Sequence, residues 1–181
     1  MSNNSIVDII ARQLAPVYRK LNDLYVNTTL GVECNVLYIS RSVDVFGDTT
    51  ETLTSNLINN VIINHPYGGN VELFEIYKSL TQQIQTGSID IWEVLPITMK
   101  VPLQSDKTTT AMNIKRGDLI VEVLFDEHGN KIPLVMEVTK IFGTFLVKEL
   151  IAKKYELTLF RGQLSDDILT IINTYITNLR N

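Results

Sequence analysis

The sequence predicts a mainly β (α+β) fold: a small antiparallel β-barrel or sandwich with an N-terminal and a C-terminal helix. From Gly117 onward, short runs of apolar and β-branched residues alternate with turn residues, which is typical of an antiparallel meander. Near both ends of the chain, apolar residues recur instead at helical spacing. The 181 residues are enough for one hydrophobic core and few for two, so we expect a single domain over 1–181.

The first predicted element is a helix over about 5–22. Ser5 is a candidate N-cap, and Asp8 three residues later completes a start that is similar to a capping box. Pro16 lacks a backbone N–H and clashes with the preceding turn, so we expect a kink or an early stop near Ala15. The apolar positions of this helix are Ile6, Ile9, Ile10, Leu14, Val17 and Leu21.

The β-rich body is predicted over about 32–160. Its first half is expected to contain two strands, a short helix and a further strand, over 32–40, 57–63, 73–84 and 89–101. Pro96 interrupts the last of these, and because proline cannot donate to a β-ladder we expect an edge or bulged strand there. Two polar stretches, 41–54 and 104–113, are predicted to be loops.

The second half of the body is predicted to be a meander. Its expected strands cover 119–125, 133–141, 144–151 and 154–160. A tight turn is expected over 126–131, which contains the turn residues Gly129 and Asn130, and a second turn is expected at Gly143.

The last predicted element is a helix over about 165–179. Ser165 is its candidate N-cap, and Asp166 and Asp167 suit the positive end of a helix dipole. Its apolar face consists of Ile168, Leu169, Ile172, Tyr175, Ile176 and Leu179.

Composition indicates a globular protein that either binds other proteins or lines a passage without gripping DNA. Hydrophobic residues make up 45% of the chain and charged residues 20%, which are ordinary values for a folded domain. The formal net charge of -4 argues against the basic face of a duplex nucleic-acid binder. Cys34 is the one cysteine, so no intrachain disulfide can form. The sequence has neither the pattern of a signal peptide nor an apolar run of membrane-spanning length, so we expect synthesis in the cytoplasm.

Each candidate catalytic residue has a simpler interpretation. His65 and His128 lie beside turn residues and are predicted to be exposed in loops. Cys34 lies within a strand without a neighbouring base, which favours a core residue over a nucleophile. Asp126 and Glu127 lie in a predicted turn, so we expect them to be solvated. Since no metal-ligand or phosphate-loop spacing occurs either, the prediction is a non-enzymatic protein without cofactor or metal.

Four short motifs follow one another along the chain: a Tyr-x-x-Arg step, a Phe-Gly-Asp loop, a Gly-Asp strand entry and a Tyr-Glu-Leu strand that ends in Phe. Their positions are Tyr38, Arg41, Phe46, Gly47, Asp48, Gly117, Asp118, Tyr155 and Phe160. This collinear set resembles the neck (head-closure or head-completion) protein family of T-even-type contractile-tailed bacteriophages. The stretch over 68–110 departs from the family pattern.

The resemblance implies a structural role in a virion. Such proteins form a ring that closes the DNA-filled head and provides the docking surface for the tail. The implied partners are further copies of the chain, portal or adaptor proteins and tail proteins, while the genome passes through without specific binding. Because rings need contacts between neighbours, the polar loop over 104–113 is a candidate subunit contact or lumen-facing loop. The candidate contact residues are Asp106, Lys107, Thr108, Thr109 and Thr110.

Two alternative functions share the same features. Another ring-forming virion protein, such as a tail terminator or a baseplate component, would also be a small β module without catalytic residues. A cellular β-barrel binding module would have the same fold but would not assemble into rings.

Overall fold

The computed structural model describes residues 6–28, 32–43, 51–67, 70–90, 94–101 and 113–179. Within them, six strands close an antiparallel barrel and three helices pack around it. The strands are β1 (Val32–Val43), β2 (Glu51–Asn64), β3 (Ile97–Val101), β4 (Leu119–Phe125), β5 (Lys131–Leu146) and β6 (Glu149–Leu159). The helices are α1 (Ile6–Thr28), α2 (Asn70–Gln85) and α3 (Asp166–Asn178). The predicted fold class is confirmed, and the sheet is a barrel rather than a sandwich.

The strand order around the barrel is β1-β2-β3-β6-β5-β4, and β4 pairs with β1 to close it. Side chains alternate between the two faces of each strand. Val36 of β1 and Ile120 of β4 belong to the interior core, together with Tyr77 of α2. Leu37 and Val121 face outward and pack beneath α3. The junction of β1 and β4 is therefore buried on both faces.

Helix α1 differs from its prediction, because it continues through Pro16 to Thr28. The expected early stop near Ala15 is wrong. A proline removes one helical hydrogen bond, and contacts beyond it hold the helix on the barrel. Arg19 Nε donates to the Leu150 carbonyl at 2.7 Å, and Arg19 Nη2 lies 3.7 Å from Glu149 Oε2.

The predicted turn at Gly143 is also wrong. Strand β5 continues through this residue, which pairs with Lys153 of β6, and the chain reverses only at Val147 and Lys148. A Cβ at Gly143 would lie 2.7 Å from the Phe145 ring, so glycine makes room for an aromatic side chain here. The predicted four-stranded meander is thus three strands, two of them long.

Other boundaries shift in ways that the chain explains locally. β3 begins at Ile97, directly after Pro96, so the predicted strand over 89–101 is shorter than expected. α2 ends at Gln85, and Gly87 follows with a positive φ of 72°, a conformation that is typical of a glycine just after a helix. Ser165 caps α3, since its side chain accepts from the Ile168 amide. No helix in the described part of the chain is long and apolar enough to cross a membrane.

Candidate functional site

Two motifs that lie far apart in the sequence meet at the junction of β1 and β4. The Tyr38 hydroxyl donates a 2.8 Å hydrogen bond to Asp118 Oδ2. The backbone N–H of Lys115 donates to the same oxygen at 2.7 Å, and the Arg41 N–H donates to Oδ1 at 3.3 Å. Asp118 is buried, so these donors replace the water that its carboxylate loses. We call Tyr38, Arg41, Gly117, Asp118 and Phe160 the junction cluster.

Arg41 links the other members of the junction cluster. Its Nε donates to the Gly117 carbonyl at 3.0 Å, and its guanidinium lies over the Phe160 ring, 5.3 Å from the centroid. A cation over an aromatic face is a favourable contact. Gly117 has a φ of 90°, which glycine adopts without strain, and this conformation leads the chain into β4.

One further motif residue that the structure describes, Tyr155, lies outside the junction cluster. Tyr155 is fully buried in the interior core, where it pairs with Met99 of β3 and Ile141 of β5. Two sets of predicted residues lie outside the described residues. They are Phe46, Gly47 and Asp48 of the second motif, and Asp106, Lys107, Thr108, Thr109 and Thr110 of the candidate contact loop.

A second polar group lies inside the barrel, and it corrects the prediction that His65 is exposed. The His65 side chain is 1% exposed; its Nε2 lies 3.0 Å from Glu122 Oε2, and its Nδ1 lies 3.0 Å from the Tyr77 hydroxyl. The Nε2 and Oε2 atoms are close but make no aligned hydrogen bond among the described residues. Burial of a histidine and a carboxylate together is costly unless each neutralises the other.

This buried group has signals in the sequence that motif searching misses. Glu122 lies between Ile120 and Leu124 on the inward face of an otherwise apolar strand, which marks a buried carboxylate. His65 comes two residues after the inward-facing Ile63, so strand alternation places it inside as well.

The surroundings of Cys34 and Tyr77 disfavour a nucleophilic role for either side chain. Burial, with the nearby charge of Glu122 second, raises the pKa of the Cys34 thiol, so the thiolate is suppressed. Burial likewise raises the pKa of the Tyr77 hydroxyl. Among the described residues, no group of three or more His, Cys, Asp or Glu side chains could hold a metal ion.

His128 is exposed, as predicted, at the tip of the turn between β4 and β5. Asp126 Oδ1 accepts from the backbone N–H groups of His128 and Asn130, at 2.9 Å and 2.7 Å. The Asn130 side chain is the main cause that lowers the pKa of the Asp126 carboxyl. Gly129 completes the turn with a φ of 78°. These contacts give the Asp126 region a structural role in the turn.

A groove of about 760 Å³ lies between the C-terminal end of α2, the start of β5 and the segment after β6. Ile84, Pro133 and Leu159 contribute apolar walls, and Arg161 lies at the same groove. Phe160 lines it too, so this ring joins the groove to the junction cluster.

Comparison with protein-family models, with curated proteins and with solved structures finds no match for this chain.

Proposed function

We propose that this chain is a structural virion protein, a subunit of the phage neck that closes the DNA-filled head and provides the docking surface for the tail. The observation that carries the proposal is the junction cluster. Five of the nine motif positions behind the family resemblance come from three separate stretches of sequence and are linked by contacts of Asp118 and Arg41. A motif set that forms one structural unit is better support than the same residues scattered over a fold.

The proposed role as a ring subunit is also supported by exposed apolar residues at the far end of the β5–β6 hairpin. Phe142, Phe145 and Val147 are exposed there, and Phe145 has the most exposed side chain of the three, at 61%. Clustered exposed aromatic residues are typical of surfaces that other protein subunits cover.

Electron microscopy of the purified full-length chain tests the proposal. We expect negatively stained particles that are rings with a central channel, and a mass by light scattering that is a multiple of 20.5 kDa. Monomers or closed dimers alone, at every concentration measured, would rule out the ring-forming neck role.

The groove favours a second candidate function, a β-barrel binding module. Its volume falls in the range of small-molecule pockets, and its walls are mainly apolar. A binding module of this kind would be a monomer whose thermal midpoint rises with an apolar ligand. Filling the groove by Gln163→Trp, at an exposed residue of its lining, should remove that shift, whereas ring formation should survive the substitution.

A further inference from the structure

Helix α1 packs against the barrel through the face that carries small and charged residues. Over residues 6–21, where the structure describes the side chains of α1, Ala11 and Ala15 are the buried residues. Arg12 and Arg19 lie beside them and both reach Glu149 at the start of β6, at 3.5 Å and 3.7 Å. An amphipathic helix of a monomeric domain normally turns its apolar stripe toward the core, and α1 does the opposite.

The apolar stripe of α1 faces solvent and has the spacing of a coiled-coil seam. We call its residues the α1 seam: Val7, Ile10, Leu14, Val17 and Leu21. They follow one another at intervals of three, four, three and four positions, which is the spacing of the a and d positions of successive heptads. Each residue of the seam is between 42% and 58% exposed.

We propose that the α1 seam is covered by the α1 helix of a second copy of this chain. A seam with this spacing fits the grooves of another helix that has the same spacing, and the chain itself supplies such a helix. The seam contains no charged residue, so bringing it against itself creates no like-charge repulsion. It extends about 21 Å along the helix, from Val7 to Leu21, and its five residues would form five layers of interlocking side chains.

The residues that flank the seam favour a second copy over a foreign helix. Charged e and g positions normally choose a particular partner in a coiled coil. Here the flanking positions are almost free of charge: Ile6, Ala11, Gln13, Tyr18 and, as the one charged residue, Lys20. The two arginines of α1 that could have selected an acidic partner contact Glu149 of their own barrel.

This inference goes beyond the proposed function, since it assigns a contact surface to α1 and applies to a virion ring and to a smaller assembly alike. If the full chain forms dimers through the seam but no rings, the neck role fails and the seam assignment stands.

Two neighbouring isoleucines provide a matched test. Ile10 belongs to the seam and Ile9 does not, yet both are 48% exposed on the same helix. We expect Ile10→Lys to reduce the mass measured by light scattering of the full-length chain to that of a smaller species. Ile9→Lys should keep the wild-type mass. Circular dichroism and thermal melting of both variants would show that the fold is intact.

The same measurements contain the results that would overturn the proposal. A wild-type chain that is monomeric at every concentration has no self-contact at all. Equal effects of Ile9→Lys and Ile10→Lys would show that the heptad positions are not the contact. If Ile10→Lys unfolds the chain, Ile10→Ser at the same position serves as the second variant, and it too must lower the mass.

Discussion

The Tyr38 hydroxyl donates a 2.8 Å hydrogen bond to Asp118 across the junction where β1 and β4 close the barrel. The two residues are 80 positions apart, and β4 stands last in the strand order around the barrel, where its pairing with β1 closes the sheet. Asp118 also accepts from the backbone N–H groups of Lys115 and Arg41. One carboxylate therefore connects the start of the sheet to its closing strand.

Replacing Asp118 with asparagine is expected to lower the free energy of unfolding by about 3 kcal/mol. The side-chain amide has one acceptor oxygen where the carboxylate has two, so its NH₂ group would face a donating backbone N–H, that of Arg41 or that of Lys115. Urea denaturation of Asp118→Asn against wild type measures the loss.

Asp126→Asn is the matched control for Asp118→Asn. Asp126 also accepts from two backbone N–H groups, but it does so in an exposed turn where water can replace the lost contacts. We expect a clearly smaller loss of stability for Asp126→Asn. Equal losses at the two positions would show that burial at the barrel junction does not set the contribution of Asp118.

His65 and Glu122 are expected to depend on each other for stability. Either His65→Leu or Glu122→Leu leaves the other polar group buried without its partner, and each should cost about 3 kcal/mol. The double substitution removes both groups, so it should cost much less than the sum of the two single losses. A double-mutant cycle in urea measures this coupling, and additive losses would contradict it.

Local patterns in the sequence predicted the elements whose form depends on local contacts. Leu119–Phe125 and the helix that starts after Ser165 were predicted within a residue or two, because strand alternation and N-capping are short-range effects. Gly143 was predicted to be a turn, but it lies in a strand because it pairs with Lys153 and accommodates the Phe145 ring. Rules that use only neighbouring residues cannot predict such contacts.

The candidate site likewise combines features that local sequence patterns predict with features that depend on distant residues. The motif comparison identified Tyr38 and Asp118 as residues of interest, but their contact depends on barrel closure, which spacing does not reveal. His65 and Glu122 are 57 positions apart in the chain, so the burial of His65 beside Glu122 depends on how distant parts of the sequence pack together. Turn-like neighbours predicted exposure for His65, and the alternation along β2 was the better guide.

Alkaline pH is expected to destabilise the fold through its buried tyrosines. Burial is the main cause that raises the pKa of Tyr38 to about 12; the contact with Ser40 opposes this shift, and the contact with Asp118 adds to it. Because the folded-state pKa lies above the ordinary value of about 10, the stabilising effect is complete below pH 10 and is lost as the pH rises toward 12. Urea midpoints measured across this range should fall, and Tyr38→Phe should make that fall shallower. An unchanged slope in Tyr38→Phe would assign the effect elsewhere.

Lys154 and Lys100 are directly opposed on β6 and β3, and this like-charge pair is expected to weaken the barrel. Burial, followed by the charge of Lys154, lowers the pKa of Lys100. Lys154→Glu should raise the free energy of unfolding by about 0.5 kcal/mol, since it turns repulsion into attraction. Lys140→Glu should have the opposite sign, because Lys140 Nζ already lies 2.8 Å from Glu156 Oε1. Thermal melts of the two variants would contradict the prediction if both shifts had the same sign.

Val147 is expected to lower stability at the reversal between β5 and β6. Its φ is 57°, a left-handed conformation that a β-branched residue adopts only with strain. Val147→Gly should therefore raise the free energy of unfolding by about 1 kcal/mol, because glycine adopts this conformation freely. Val147→Ala is the control: it removes the exposed apolar side chain but keeps a Cβ, so most of the strain stays. If alanine stabilises the chain as much as glycine does, the gain comes from the side chain and not from the backbone.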